Sequence, residues 1–200
     1  MTAQAGDDRL VWLDLEMTGL DVERHTIVEI ALIVTDSQLA PLDGGIDIVV
    51  HQDATTLGLM DDFVRKMHTK SGLLDAIGAS TVALDAAQAA ALEYVRGHVG
   101  APGVAPLCGN SIGVDRRFLD RQLPDLDRYL HYRSVDVSSL KELCRRWYPD
   151  VYAKRPNKAE HHRALDDIRE SIEELQFYRD QLFTPGAGPA GPSAAASPAR

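Results

Sequence analysis

The sequence predicts a mixed α/β domain over residues 1–183, followed by a disordered tail over 184–200. Three observations carry this. Three strand-like segments follow one another at short spacing in the first quarter of the chain. Strand and helix patterns then alternate. From Thr184 to Arg200 the chain holds 4 Pro, 3 Gly, 6 Ala and 2 Ser, a composition that cannot bury enough apolar surface to offset the entropy of ordering.

Leu10–Met17 alternates with period two, Val11, Leu13 and Leu15 on one face and Trp12, Asp14 and Glu16 on the other, which is strand periodicity. Thr18-Gly19-Leu20-Asp21 reads as a turn. Thr26–Thr35 is β-branched and apolar, as a buried strand requires. Asp43-Gly44-Gly45 is a turn signal before a third strand, Ile46–His51. Such short connections imply an antiparallel meander. Val82–Val95 carries apolar residues at helical spacing behind Ser80 or Thr81 as N-cap. Val104–Cys108 reads as a strand, and Gly109–Gly113 leads into a helix ending at Leu123. Ser134–Val137 reads as a strand, with Ser138 capping a helix through Trp147. Lys154–Lys158 is a basic loop, and a final helix spans Arg163–Phe183.

Composition narrows the function. The 200 residues are 44% hydrophobic and 26% charged, as in an ordinary globular domain. No run approaches the roughly 18 apolar residues that span a bilayer, and the polar N-terminus has no signal-peptide core. The two cysteines, Cys108 and Cys144, are too few for a disulfide scaffold or a cysteine zinc site. Together these predict a cytoplasmic protein. A net charge of −9 argues against a coat for long nucleic acids but permits a substrate with few phosphates.

Asp14 and Glu16 leave the same face of a strand, where they repel unless a cation sits between them. Mg²⁺ and Mn²⁺ favour such oxygen ligands. A solvated strand face is the bland alternative. Asp115 shares a helical face with Phe118 and Leu119, which should turn it inward, although the helix dipole alone could favour an acid there. In the last helix Leu165, Ile168, Ile172 and Leu175 form the apolar stripe. Asp166 lies opposite that stripe and Asp167 at its edge, beside Ala164 and Ser171. Asp167 is therefore the candidate ligand and Asp166 the candidate surface charge. His161, His162, Asp166 and Asp167 could instead form a zinc cluster, although the H-x-x-x-H spacing is missing. Four acids and a histidine suit phosphodiester hydrolysis by two metal ions, with His162 taking a proton from water.

The segments VWLDLEMTGLD (11–21), CGNSIGVDRRFL (108–119), YRSVDVSSLKEL (132–143) and HHRALDDIRESI (161–172) together resemble the oligoribonuclease family, the short-RNA members of the DEDD 3′→5′ exonucleases with a histidine in the last motif. The resemblance runs from Leu10 to Phe183 and omits the tail. It implies an RNase H-like fold with a five-stranded mixed sheet flanked by helices. It assigns Asp14, Glu16, Asp115 and Asp167 to two divalent ions, Mg²⁺ or Mn²⁺, and His162 to the general base. It further implies a homodimer that cuts RNAs of two to five residues, dinucleotides above all, to 5′-mononucleotides. Leu20 matches a wedge between the two bases. Ser111, Arg133, Ser138 and Ser139 match a cap around the 5′ phosphate. His68 matches a residue that reaches the site, and Tyr132 matches one contributed by the partner subunit. Tyr132 is given a positioning role, since a phenol of pKa near 10 is a poor base at neutral pH. Without the match, His68 reads as a loop histidine and Tyr132 as an interface aromatic. Three other readings compete: an exonuclease trimming longer DNA or RNA ends, a catalytically dead binding module, and a metal-dependent phosphatase.

Overall fold

A computed structural model describes residues 8–156 and 163–183. Three strands open the chain: β1 (Leu10–Met17), β2 (Ile27–Thr35) and β3 (Ile46–Val49). β1–β2 and β2–β3 pair antiparallel, giving the expected meander. Three short helices absent from the sequence reading follow: α1 (Ala54–Leu57), α2 (Asp62–Lys70) and α3 (Leu73–Ala79). Asp53 and Asp61 cap the first two, accepting from the amides of Thr56 and Val64.

Helix α4 (Leu84–His98) starts two residues later and ends three later than expected. Neither Ser80 nor Thr81 caps it; Ala83 occupies that position. Ser80 instead accepts from the Val82 amide and donates to the Val49 carbonyl, tying the connection to β3. The chain continues with β4 (Pro106–Gly109), α5 (Gly113–Gln122), α6 (Pro124–Tyr129), β5 (His131–Asp136), α7 (Val137–Trp147), α8 (Pro149–Tyr152) and α9 (Ala164–Leu182). Ser138 does not cap α7. Asp136 does, since its charged carboxylate accepts from the Ser138 amide. Part of the expected basic loop is the turn after α8, and its last two residues lie outside the described ones.

The sheet order is β3-β2-β1-β4-β5, with β4 and β5 parallel to β1, as the RNase H-like expectation requires. β1 is central and covered on both sides. Val11, Leu13 and Leu15 pack with α4, α5 and α6 through residues such as Ala91, Phe118 and Leu126. Trp12, on the opposite face, packs with α7 and α9 through Cys144, Ile168 and Ile172. The Asp14/Glu16 face is therefore closed off from water along much of its length. All nine residues of β2 are buried, which explains its unbroken apolar run. β1, β4 and β5 run the same way, so Glu16, Asn110 and Asp136 gather at one edge of the sheet. Open α/β sheets bind ligands outside the carboxyl ends of such strands.

Candidate active site

Asp14 and Glu16 come from β1 and Asp167 from the first turn of α9. One oxygen of each lies within 4.8 Å of the other two. A register shift between Glu16 and Met17 marks a bulge in the β1–β2 ladder at this point. Glu16 is only 8% exposed. Burial, and then the carboxylates of Glu29, Asp167 and Asp115, push its pKa up from 4.5 to about 8, against the pull of Arg163. So acidic a cluster, all oxygen donors, fits a divalent cation.

Asp115 stands beside this trio rather than within it. Its Oδ1 accepts from the Leu15 amide, between Asp14 and Glu16 in the chain, at 3.1 Å. Burial pushes its pKa to about 7, opposed by the amides it accepts from. The inward orientation expected from Phe118 and Leu119 is thus present. Asp166 points away, half-exposed and paired with Arg169 at 2.9 Å. The two neighbours therefore lie on different sides of α9, Asp167 at the carboxylate cluster and Asp166 toward solvent. His161 and His162 lie outside the described residues.

His68 is not a loop residue. It is fully buried in α2. Its Nε2 donates to the Met17 carbonyl at 2.9 Å, and its Nδ1 lies 3.8 Å from Glu16 Oε2. The sequence had shown the residue but not the helix that delivers it.

A cleft of about 580 Å³ opens beside Glu16, with Leu20, Phe63 and Met67 among its walls. Leu20 is 66% exposed and Phe63 74% exposed, in a protein that buries most of its large apolar side chains. Gly19 makes Leu20's position attainable: a Cβ there would come within 2.5 Å of the His25 ring. Phe63 escaped the sequence reading. Its i,i+4 spacing to Met67, behind the Asp61 cap, was the available signal.

Ser111, Ser138 and Ser139 come together around Asp136. The Asp136 Oδ1 accepts from the Ser111 and Ser138 amides at 2.9 and 3.1 Å, and Oδ2 from the Ser139 hydroxyl at 2.9 Å. Ser111 has a φ of 54°, a left-handed conformation unusual for a residue with a Cβ. The Ser138 amide at the α7 entry and the Ser111 amide between β4 and α5, which would favour a bound anion, are therefore already engaged by Asp136. Arg133 lies over the Tyr132 ring, 5.3 Å from its centroid. Tyr132 is 74% exposed and stacked on His131.

A second group the sequence reading missed holds α9 in place. Glu29, fully buried on β2 and cross-strand from Glu16, accepts from Arg163 Nε at 2.8 Å and from the Ala164 amide at 3.1 Å. Arg163 also reaches Asp47.

An exonuclease family profile, RNase_T, matches residues 11–175. Oligoribonuclease of Mycobacterium avium is 54% identical over 182 residues, covering 91% of this chain and 85% of that protein. Oligoribonuclease of Rhodococcus jostii is 55% identical over 91% of this chain and 92% of its own length. Among solved structures, an exonuclease I from Methylocaldum szegediense superposes with a TM-score of 0.64 at 17% identity. The match covers 87% of this chain but only 41% of that one, and shows a shared fold.

Proposed function

The chain belongs to the oligoribonuclease family of exonucleases, and from that premise we propose that it degrades short RNAs, dinucleotides above all, from the 3′ end to 5′-mononucleotides with two divalent cations. The observation that carries this is the meeting of Asp14, Glu16 and Asp167 beside a cleft whose walls include the exposed apolar side chains of Leu20, Leu59 and Phe63.

In this reading Asp14, Glu16, Asp115 and Asp167 hold Mg²⁺ or Mn²⁺. When bound, the ions supply positive charge to the carboxylate cluster and the scissile phosphate and acidify the attacking water. The chain's own groups do the rest. Leu20 enters between the two bases, with Phe63 offering a second apolar surface in the same cleft. Ser111, Arg133, Ser138 and Ser139 surround the 5′ phosphate and stop a longer strand. His68 braces Glu16 from behind. His162, five residues before Asp167, accepts the proton of the attacking water. Tyr132 reaches across a homodimer to position the substrate in the partner's site. The net charge of −9 disfavours long polyanions. Among the described residues no helix is long and apolar enough to cross a membrane, and both cysteines are buried and free, which agrees with work in a reducing cytoplasm.

The test is purified protein with Mn²⁺ and 5′-labelled RNAs of two to twenty residues. The dinucleotide should be consumed fastest, with 5′-mononucleotide as product. If RNAs of ten residues and more were shortened as fast as dinucleotides, the reading would give way to an exonuclease acting on longer ends.

A further inference from the structure

Behind the serine cap lies a part-buried polar network, closed on its inner side by the buried Ser171, Glu174 and Tyr178. Asn110, just after β4, donates through Nδ2 to Ser171 Oγ at 2.7 Å and more distantly to Glu174 Oε2 at 3.4 Å. Its Oδ1 accepts from the Ser138 hydroxyl at 3.1 Å and the Lys141 ammonium at 3.3 Å. Lys141 is held by Glu174 at 3.0 Å, and Glu174, nearly inaccessible, also accepts from Tyr178.

The donor and acceptor chemistry fixes the direction of the protons. An ammonium only donates and a carboxylate only accepts, so Lys141 and Glu174 force the Asn110 oxygen toward α7 and its NH₂ toward α9. Facing that oxygen, the Ser138 hydroxyl must donate to it. Its lone pairs then take the Ser111 amide at 2.7 Å and the Ser111 hydroxyl at 3.0 Å. The Ser139 hydroxyl is turned to Asp136. The three hydroxyls thus all donate inward, while an open cleft of about 450 Å³ lies beside Ser138 and Ser139, lined also by Asp136, by Leu143 and by Glu142, whose charge is taken up by Arg145 and Arg146. A phosphate arriving there requires at least one hydroxyl to turn outward.

Resting on the cap reading above, we propose that Lys141 is a positioning residue for the 5′ phosphate: it keeps the Asn110 oxygen hydrogen-bonded when the Ser138 hydroxyl leaves it for the phosphate. Without Lys141, that rotation leaves the part-buried Asn110 oxygen without either of its donors, and leaving such an acceptor unmade is where hydrogen bonds are costly. With Lys141, the oxygen retains a charged donor and Ser138 is free to turn. Glu174 acts one step further back, by anchoring Lys141.

Steady-state kinetics on the Mn²⁺-loaded enzyme, with a dinucleotide bearing either a 5′ phosphate or a 5′ hydroxyl, test this. The readout is the KM of the hydroxyl form divided by that of the phosphate form. Lys141→Met alone leaves Glu174 buried without its partner, so the variant to read is Lys141→Met with Glu174→Gln, its fold checked by thermal melting. The ratio should fall about tenfold, with kcat on the phosphorylated dinucleotide changing less than KM. Lys141→Arg should keep the parent's ratio. A parallel Ser138→Ala variant separates the two layers. If Ser138→Ala lowers the ratio and the double variant does not, the role of Lys141 is overturned and the cap stands. If Ser138→Ala leaves the ratio unchanged, the cap and the inference fall together. Equal loss on both substrates, or failure of Lys141→Arg to keep the ratio, would mark Lys141 as structural only and overturn the proposal.

Discussion

Glu16 is the side chain on which burial, charge and chemistry meet. Its pKa is raised from 4.5 to about 8, chiefly by burial and then by neighbouring carboxylates. A raised acid stabilises the fold fully below its unfolded pKa and loses that contribution as pH rises through the folded value. Asp115, raised to about 7, acts in the same direction. The chelated protein should therefore melt at lower temperature at pH 9 than at pH 5.5, and Glu16→Gln should flatten that slope. A parent melting temperature that did not fall over this range would contradict the assignment. Since protons and cations compete for the same oxygens, Mn²⁺ affinity should climb through the same window. For turnover, Asp14→Ala, Glu16→Ala and Asp167→Ala should each be inactive yet folded in a dinucleotide assay, whereas Asp166→Ala should keep most activity, because Asp166 only pairs with Arg169 at the surface. Equal losses at Asp166 and Asp167 would break the distinction. That distinction was legible in the sequence, since adjacent helical residues sit 100° apart. The engagement of Asp136 was not, because two serines looked like better anion donors than a neighbouring acid looked like their occupant.

At the scale of elements, the strands and long helices were legible because their periodicity is strong, and their ends less so because caps decide them. Ser138 was read as a cap where Asp136 is one, and α1 to α3 went unread because short helices with exposed faces carry little apolar pattern. The packing of β1 on both faces was also hidden: Leu10 and Trp12 are the apolar residues of β1 on the acidic side, and α9, more than a hundred residues later, covers it. The same distance hid the latch on α9. Glu29 is the one charged residue in the otherwise apolar β2, and it accepts from the Ala164 amide and the Arg163 side chain at the start of the helix that carries Asp167. Glu29→Ala should cost about 3–5 kcal/mol of stability, the usual penalty for stranding one partner of a buried pair. Denaturant unfolding would measure it. Glu29→Leu combined with Arg163→Met should recover much of the stability while activity stays low, because α9 would then be held without its amide anchor. Stability unchanged in Glu29→Ala would remove the latch.

The whole molecule poses the question of how many chains make one site. β5 is an edge strand, and at its outer end Tyr132 is exposed with Arg133 laid across it. An aromatic so placed does nothing for its own core, and the homodimer reading gives it a use in the partner's cleft. Arg116 steadies this strand end, reaching the Tyr132 carbonyl and the Ser134 hydroxyl while Asp127 holds its Nε. A site divided between two chains makes a prediction that a site within one chain cannot. Tyr132→Ala and Asp14→Ala should each be nearly inactive on dinucleotides as pure homodimers. When the two are unfolded together and reassociated, half of the dimers should be mixed, and in each mixed dimer one of the two sites has an intact Asp14 from one chain and an intact Tyr132 from the other. About a quarter of the parent's activity should return. At fixed total protein, recovery should scale with the product of the two chains' mole fractions, which distinguishes exchange from residual activity of either variant. No recovery despite verified subunit exchange would place Tyr132 outside the partner's site, and a stable monomer cutting dinucleotides at the parent rate would dispose of the shared site altogether.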